Sequence, residues 1–285
     1  MSKKNLSNIE TPSGKGSRDE YFPVASWVIS SHLRPHIKTF YSFARAADDI
    51  ADNPNLPAKE KVRRLNIFQS VLMGGVKNRK RCPKAGSLKK SNHRLGITPI
   101  YGKKLLEAFK KDAVKLRYKS WKDLIGYCNL SAAPVGRYLL DLHGESKNIY
   151  KYSDDLCNAL QIINHLQDCK EDYINLDRIY LPQSWIKAQK IPNSQLGERE
   201  SSKGLRHVID KTLSGVEKLL KSASLLPKKI ENSRLSTEAE IIYRIACKLT
   251  KELRIKDPLQ EKVELSKVSF LLCGVKGLLF SWFRN

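Results

Sequence analysis

Three observations predict an all-α fold. Apolar residues recur at helical spacing along most of the 285-residue chain. No segment shows sustained apolar–polar alternation flanked by turns, which would mark a strand. Two acidic stretches, Tyr41–Asp52 and Asn164–Tyr173, each gather their carboxylates on one face if they are helical. There is no internal repeat of fixed period, no GxGxxG and no Walker A pattern. With 41% hydrophobic residues the chain can bury a sizeable core.

Residues 1–20 read as a flexible polar leader with no apolar stretch of a secretory signal, and 21–285 as one helical domain. Phe22–Leu33 is apolar. Arg34-Pro35 opens the first helix, where proline suits the first turn, and Asn53-Pro54 stops it. Pro57–Leu72 is a second helix. Residues 74–96 carry eight Lys or Arg (77, 79, 80, 81, 84, 89, 90 and 94) and no acid, and their Gly, Pro and Ser content predicts a basic loop insertion. Leu105–Tyr118 is amphipathic. Trp121–Gly144 is an apolar helix with Pro134 in mid-pattern, where it removes a backbone bond and kinks the helix. Such a kink makes room for a ligand or for a closely packed neighbour. Ser153–Tyr173 is a long helix with Ser153 as its N-cap. Leu205–Leu225, Thr237–Leu253 and Glu261–Phe283 complete the helices.

The first acidic stretch, YSFARAADDIAD, places Tyr41, Arg45, Asp48 and Asp52 along one face, with Asp49 at its edge. Phe43, Ala44, Ala47, Ile50 and Ala51 lie opposite. Like charges four residues apart destabilise an isolated helix by a few tenths of a kcal/mol. Either water solvates this face or a divalent cation offsets the repulsion. Mg²⁺ prefers carboxylate oxygen and binds through one or two carboxylates plus substrate phosphates.

In the second stretch, Gln161, Asn164, Asp168, Glu171 and Asp172 share a face, and Asn164, Asp168 and Asp172 form a ladder at i, i+4 and i+8. His165 turns off that face as a packed or rim histidine. One such ladder is a weak signal. Two of them facing one another would form a cage for several Mg²⁺ ions bridged by a diphosphate. Zinc would ask for His and Cys instead. Arg45, Arg137, Lys170 and Arg178 are diphosphate contacts or surface ion-pair partners. Neutralised by Mg²⁺, diphosphate becomes a leaving group. An apolar cavity would then shield the carbocation from water. Phe22, Tyr41 and Tyr127 either face such a cation with their rings or fill the core.

The formal charge of +23 favours anionic partners: nucleic acid, an anionic membrane surface or phosphorylated ligands. Residues 74–96 contain no aromatic, which argues against a base-stacking platform, and no nucleic-acid-binding motif is present. The six cysteines show no CxxC and no zinc spacing, which fits reduced thiols in the cytoplasm. The final stretch, Val268–Phe283, is apolar nearly all round with Lys276 at its centre, and is short for a span of roughly 20 residues. It is either the last core helix or an anchor lying on the inner face of the membrane.

Taken together, FYSFARAADDIAD, YCNLSAAPVGRYLLDLHGES and NHLQDCKEDYINLDRIYLP resemble the first aspartate-rich motif, the central substrate helix and the second aspartate-rich motif of the squalene/phytoene synthase family. The resemblance runs from about Tyr21 to Pro182 and more loosely beyond. It implies a single-domain isoprenoid synthase bundle with a central apolar cavity. Within the family, FPVAS, SAAPVGR and NHLQDCKEDY resemble the branch that makes hydroxysqualene in hopanoid biosynthesis. That branch acts on presqualene diphosphate, supplied by a partner presqualene diphosphate synthase, and uses Mg²⁺ without nicotinamide. The competing expectation is head-to-head condensation of two farnesyl diphosphates to presqualene diphosphate, squalene or a C30 carotenoid precursor.

Carried over by motif, Asp48, Asp52, Asp168 and Asp172 become catalytic metal ligands, joined by Asn164. Arg45, Arg137 and Arg178 become diphosphate contacts. Phe22, Tyr41, Tyr127, Ser131 and Val135 become cavity residues. Gln167 stands where the family's common RDxxED form has an arginine.

Overall fold

The computed structural model describes residues 9–10, 29–75 and 79–284, and these bear out the all-α expectation. Phe22, FPVAS and most of the 1–20 leader lie outside the described residues. Among the described residues the only β-type pairing is an isolated bridge between Arg117 and Ile179. Backbone contacts divide the chain into two units, residues 1–114 and 115–285. The division falls within residues 113–120, which are not helical. The helix expected over 105–118 is Ile100–Asp112 instead.

In the first unit, α1 (Arg34–Ala51) begins with Pro35 in its first turn and ends beside Asp52, whose backbone N–H donates to the Asp48 carbonyl at 2.9 Å. Pro35 sits where no intrahelical donor is needed. Phe43, Ala47, Ile50 and Ala51 are fully buried, as the periodicity requires. Through this face α1 packs on α2 (Ala58–Leu72), α3 (Pro83–Leu95) and α4 (Ile100–Asp112), with Phe43 stacked on Phe68 at 5.6 Å.

Helix α3 corrects the expected basic loop at 74–96. A short 3₁₀ turn, Arg79–Arg81, leads into it. Ala85, Leu88 and Asn92 recur at helical spacing and are buried, while Lys84, Lys90 and Arg94 stay in water. Pro83 opens the helix. Gly96, at φ 67°, closes it in the left-handed conformation that glycine adopts without strain. The dense cations masked a weakly apolar face. Two leader residues are also packed rather than loose. Ile9 is buried, and the Glu10 carboxylate accepts from the Lys84 N–H at 2.8 Å, placing an acid at the start of α3.

In the second unit, α5 (Trp121–Ser131) is capped by the Ser120 hydroxyl, which accepts from the Asp123 N–H. Pro134 does not kink one long helix. The chain breaks at Ala132, and Pro134 sits buried in the first turn of α6 (Ala133–Leu142). The long helix expected over 153–173 is two: α7 (Tyr150–Gln167) and α8 (Cys169–Leu176). Ser153 is no cap. It is buried inside α7, close under Gly136 of α6, where an added Cβ would lie 2.3 Å from the Ser153 hydroxyl.

Helix α7 is the hub, packed by α5, α6, α10 (Lys203–Ala223) and α12 (Ser233–Ile255). A short α9 (Gln183–Ala188), α11 (Leu226–Lys229) and α13 (Lys267–Arg284) complete the set. The stretch expected to be helical from Glu261 becomes helical only at Lys267. Carbonyls within residues 257–266 accept from side chains of the motif helices. Gln167 Nε2 donates to Val263 O at 2.6 Å, and Lys170 Nζ donates to Leu259 O at 3.0 Å.

Candidate active site

On α1 the acidic face is held together by its own arginine. Arg45 contacts Asp48 at 3.1 Å and Asp49 at 2.9 Å. Asp49, read as an edge residue, is buried, and so is Asp112 at the end of α4. Although the Asp48 side chain keeps 30% exposure, its charge is poorly solvated and its carboxyl is pushed up to about 8. Burial is the first cause. The Asp52 charge adds to it, Arg45 opposes it, and Asp112 and Asp49 raise it further. Asp49, Asp52 and Asp112 thus all act on Asp48 with their charge, against one guanidinium, an environment that favours a hard cation.

In the second unit the ladder survives the break between α7 and α8. The Asp168 N–H donates to Asn164 O at 2.9 Å, and the Asp172 N–H donates to Asp168 O at 2.8 Å. The i, i+4, i+8 register is therefore kept, although Asp168 itself leaves helical geometry at φ −100°, ψ 10°. Asn164 Oδ1 is buried without a hydrogen-bond partner among the described residues. A buried carbonyl oxygen in that state costs about 1–3 kcal/mol, which a metal ion or ligand donor would offset.

Beside the ladder lies an aromatic group. His165 stacks on Tyr180 with ring centroids 3.4 Å apart, and Tyr127 sits 5.7 Å from Tyr180 and 5.1 Å from Tyr118. Burial, with Arg178 adding to it, holds His165 down at about 3, so it is neutral and its 4.0 Å approach to Asp172 is no ion pair. Tyr127 is buried, Tyr41 is half-buried, and the Ser131 hydroxyl is buried without a hydrogen-bond partner among the described residues. Val135 is 37% exposed, which does not suit the wall of a closed cavity.

Two proposed phosphate contacts have other work. Arg137 makes a two-point pair with Asp154, at 2.8 and 2.5 Å, and lies over the Tyr150 ring. Lys170 is committed to the Leu259 carbonyl. Arg178 is buried beside the ladder, its own N–H donating to Asp172 O at 3.0 Å. Gln167 faces away from the ladder and fastens the 257–266 segment, so it replaces an arginine with a structural amide.

Sequence reasoning missed Asp112, Tyr118 and Tyr180. Tyr180 lies in the quoted motif, two residues from Pro182, and only a contact map separates it from its neighbours. Asp112 carries no sequence signal at all, because it meets Asp48 through the packing of α4 on α1.

Among the described residues, no three His, Cys, Asp or Glu side chains are already gathered in a geometry that would hold a metal ion. The donor types nevertheless suit Mg²⁺: in the first unit carboxylates gathered around Asp48, and in the second a buried amide oxygen without a hydrogen-bond partner among the described residues.

These helices and acidic motifs define an enzyme of the isoprenoid synthase fold, and the chain belongs to the squalene/phytoene synthase family, whose sequence model matches residues 16–269. More particularly, it is 40% identical over 284 residues to a hydroxysqualene synthase of Zymomonas mobilis, covering 98% of this chain and 95% of that one. A hydroxysqualene synthase of Rhodopseudomonas palustris is 40% identical over 265 residues, covering 93% and 90%. Among solved structures, a squalene synthase from Alicyclobacillus acidocaldarius superposes with a TM-score of 0.71 at 26% identity, covering 81% of this chain and 87% of that one. A dehydrosqualene synthase, at 21% identity and TM-score 0.76 over 92% of each chain, shares the fold.

Proposed function

We propose that this enzyme converts presqualene diphosphate to hydroxysqualene by ionisation, cyclopropylcarbinyl rearrangement and capture of water. The observation that carries the reading is the near-full-length 40% identity to proteins named for that product. The intact acidic motifs on α1 and α7–α8 support it. Asp48 and Asp52 are the residues that would hold Mg²⁺ in the first unit, and Asn164, Asp168 and Asp172 those that would hold it in the second. When bound, Mg²⁺ neutralises the departing diphosphate and orients it.

The protein's own groups do the rest. Arg45 holds Asp48 and Asp49 in place and offers a guanidinium to phosphate oxygen. Arg178 adds a second buried cation beside the ladder. Tyr127 supplies an aromatic ring that would favour a cationic carbon, and Tyr180, stacked on His165, braces that aromatic group. His165, held neutral, adds no charge that would repel it. The presqualene diphosphate comes from a partner synthase, and the enzyme works in the cytoplasm at the inner face of the membrane.

The test is incubation of the purified protein with presqualene diphosphate and Mg²⁺, without nicotinamide, in labelled water. Hydroxysqualene carrying the label is the expected product. Presqualene diphosphate formed from farnesyl diphosphate alone, or squalene formed only with NADPH, would replace the reading with the condensing or reductive reaction.

A further inference from the structure

Helix α13 (Lys267–Arg284) has two apolar faces, and the protein uses one. The inner face packs on α12. Cys273 is buried there, and Gly277 lies so close that an added Cβ would sit 2.3 Å from Ile241 Cγ1. The outer face carries Val268, Leu271, Leu272, Val275, Leu278 and Leu279, spaced i, i+3, i+4, i+7, i+10 and i+11. Val268 and Leu271 are two-thirds exposed, and the other four are exposed by at least 42%. Isolated exposed leucines need no explanation, but an unbroken stripe on one helix face marks an interaction surface.

Charge identifies the occupant. Lys267 and Lys276 are both exposed, and they flank the stripe about 90° to either side of its centre. No Asp or Glu occurs in α13. Arg244 and Lys248 on α12 reach it with their charge, as their effect on the Cys273 thiol records. Glu240 and Glu252 pair with those two, so the unpaired excess sits on α13 itself. A second copy docked on this face would set lysine against lysine. A bilayer with anionic headgroups offers hydrocarbon to the stripe and phosphate to its borders. The helix cannot cross: no helix among the described residues is long and apolar enough.

We propose that α13 lies in the plane of an anionic membrane surface, its Val268–Leu279 stripe sunk among the acyl chains and Lys267 and Lys276 reaching up to the headgroups. This deepens the membrane-peripheral part of the proposed function by naming the surface, and it does not depend on the reaction. The formal charge of +23 adds long-range attraction that salt screens.

The experiment is co-sedimentation of the full chain with phosphatidylcholine vesicles, with and without phosphatidylglycerol, in the absence of substrate. Turnover is assayed separately in detergent, so failure of the binding and failure of the reaction are told apart. The protein should sediment with the anionic vesicles and be released by salt. The double variant Leu271→Gln/Val275→Gln should bind at least about tenfold more weakly, since two large apolar side chains leave the membrane. Lys267→Gln/Lys276→Gln should weaken binding and reduce its salt dependence. Both variants alter exposed positions, and melting curves check that they fold. Independently of any variant, amides 268–279 of the unaltered protein should exchange more slowly with anionic vesicles present.

The proposal is overturned if the unaltered protein ignores anionic vesicles, if Leu271→Gln/Val275→Gln binds as well as the parent, or if exchange is unchanged. A dimer that dissociates in that variant, with no lipid binding by the parent, would instead make the stripe a contact between copies and overturn it equally.

Discussion

The imidazole of His165 lies nearly flat on the ring of Tyr180, the planes 10° from parallel and the centroids 3.4 Å apart. Gln161 meets its Nε2 at 3.0 Å from one helical turn earlier. The ring is sealed on the edge of the acidic ladder, yet it carries no charge. Water is too scarce there to stabilise an imidazolium, and Arg178 repels one.

That neutrality has a pH signature. The folded pKa is about 3, against an ordinary value of 6.5. The unfolded chain therefore binds the extra proton between those values. The contribution is complete above 6.5 and is lost as pH falls toward 3, with a slope of at most about 1.4 kcal/mol per pH unit. Replacing His165→Gln should flatten the stability profile in that window, whatever it does to the absolute level. Urea unfolding at a series of pH values measures it; parallel profiles for the two proteins would show that His165 does not titrate in this way.

The acidic sets should be indispensable to turnover and dispensable to folding. Asp48→Asn and Asp168→Asn each remove one charge at nearly constant volume. Each should lower turnover of presqualene diphosphate by on the order of 10³-fold at saturating Mg²⁺ while the helical circular dichroism is kept. Near-normal rates from either variant would remove that residue from the metal-binding set.

Arg137 should matter for stability and not for catalysis. Arg137→Ala leaves the Asp154 carboxylate, 16% exposed, without its two-point partner. A loss of about 1–3 kcal/mol is expected, with KM for the diphosphate substrate unchanged. Lysine should rescue only part of the stability, because it lacks the fork that meets both oxygens. A rise in KM with stability intact would return Arg137 to the diphosphate site.

Gln167 should act as a fastener. Gln167→Ala frees the Val263 carbonyl from its buried donor and should cost about 1–3 kcal/mol, read from urea midpoints. Hydrogen exchange should localise the loosening to residues 257–266. Unchanged exchange in that segment would mean that other contacts hold it.

Cys157 and Cys169 should be inert in the folded enzyme. Burial pushes both thiols up to about 12, leaving almost no thiolate at neutral pH. Iodoacetamide followed by peptide mapping should leave both unmodified until the protein is unfolded. Prompt labelling of either one in the native state would contradict the burial.

The helical class, both carboxylate registers and the family were legible in the order of residues alone. These depend on spacing within one helix, and a 100° rotation per residue is fixed before any packing occurs. Asp48 and Asp52, or Asn164 and Asp168, share a face wherever the helix lies. Tertiary structure decided what single-helix spacing does not encode. It made Pro83–Leu95 a helix, because burying Ala85 and Leu88 against neighbouring helices outweighed a dense run of cations that reads as loop. It turned Gln167 and Lys170 toward the carbonyls of a segment some ninety residues away, and gave Arg137 to Asp154. It brought the charge of Asp112 within reach of Asp48 and laid Tyr180 on His165, relations between residues that no local period links. It also left a stripe of the last apolar helix exposed, because α13 packs on α12 through its opposite face.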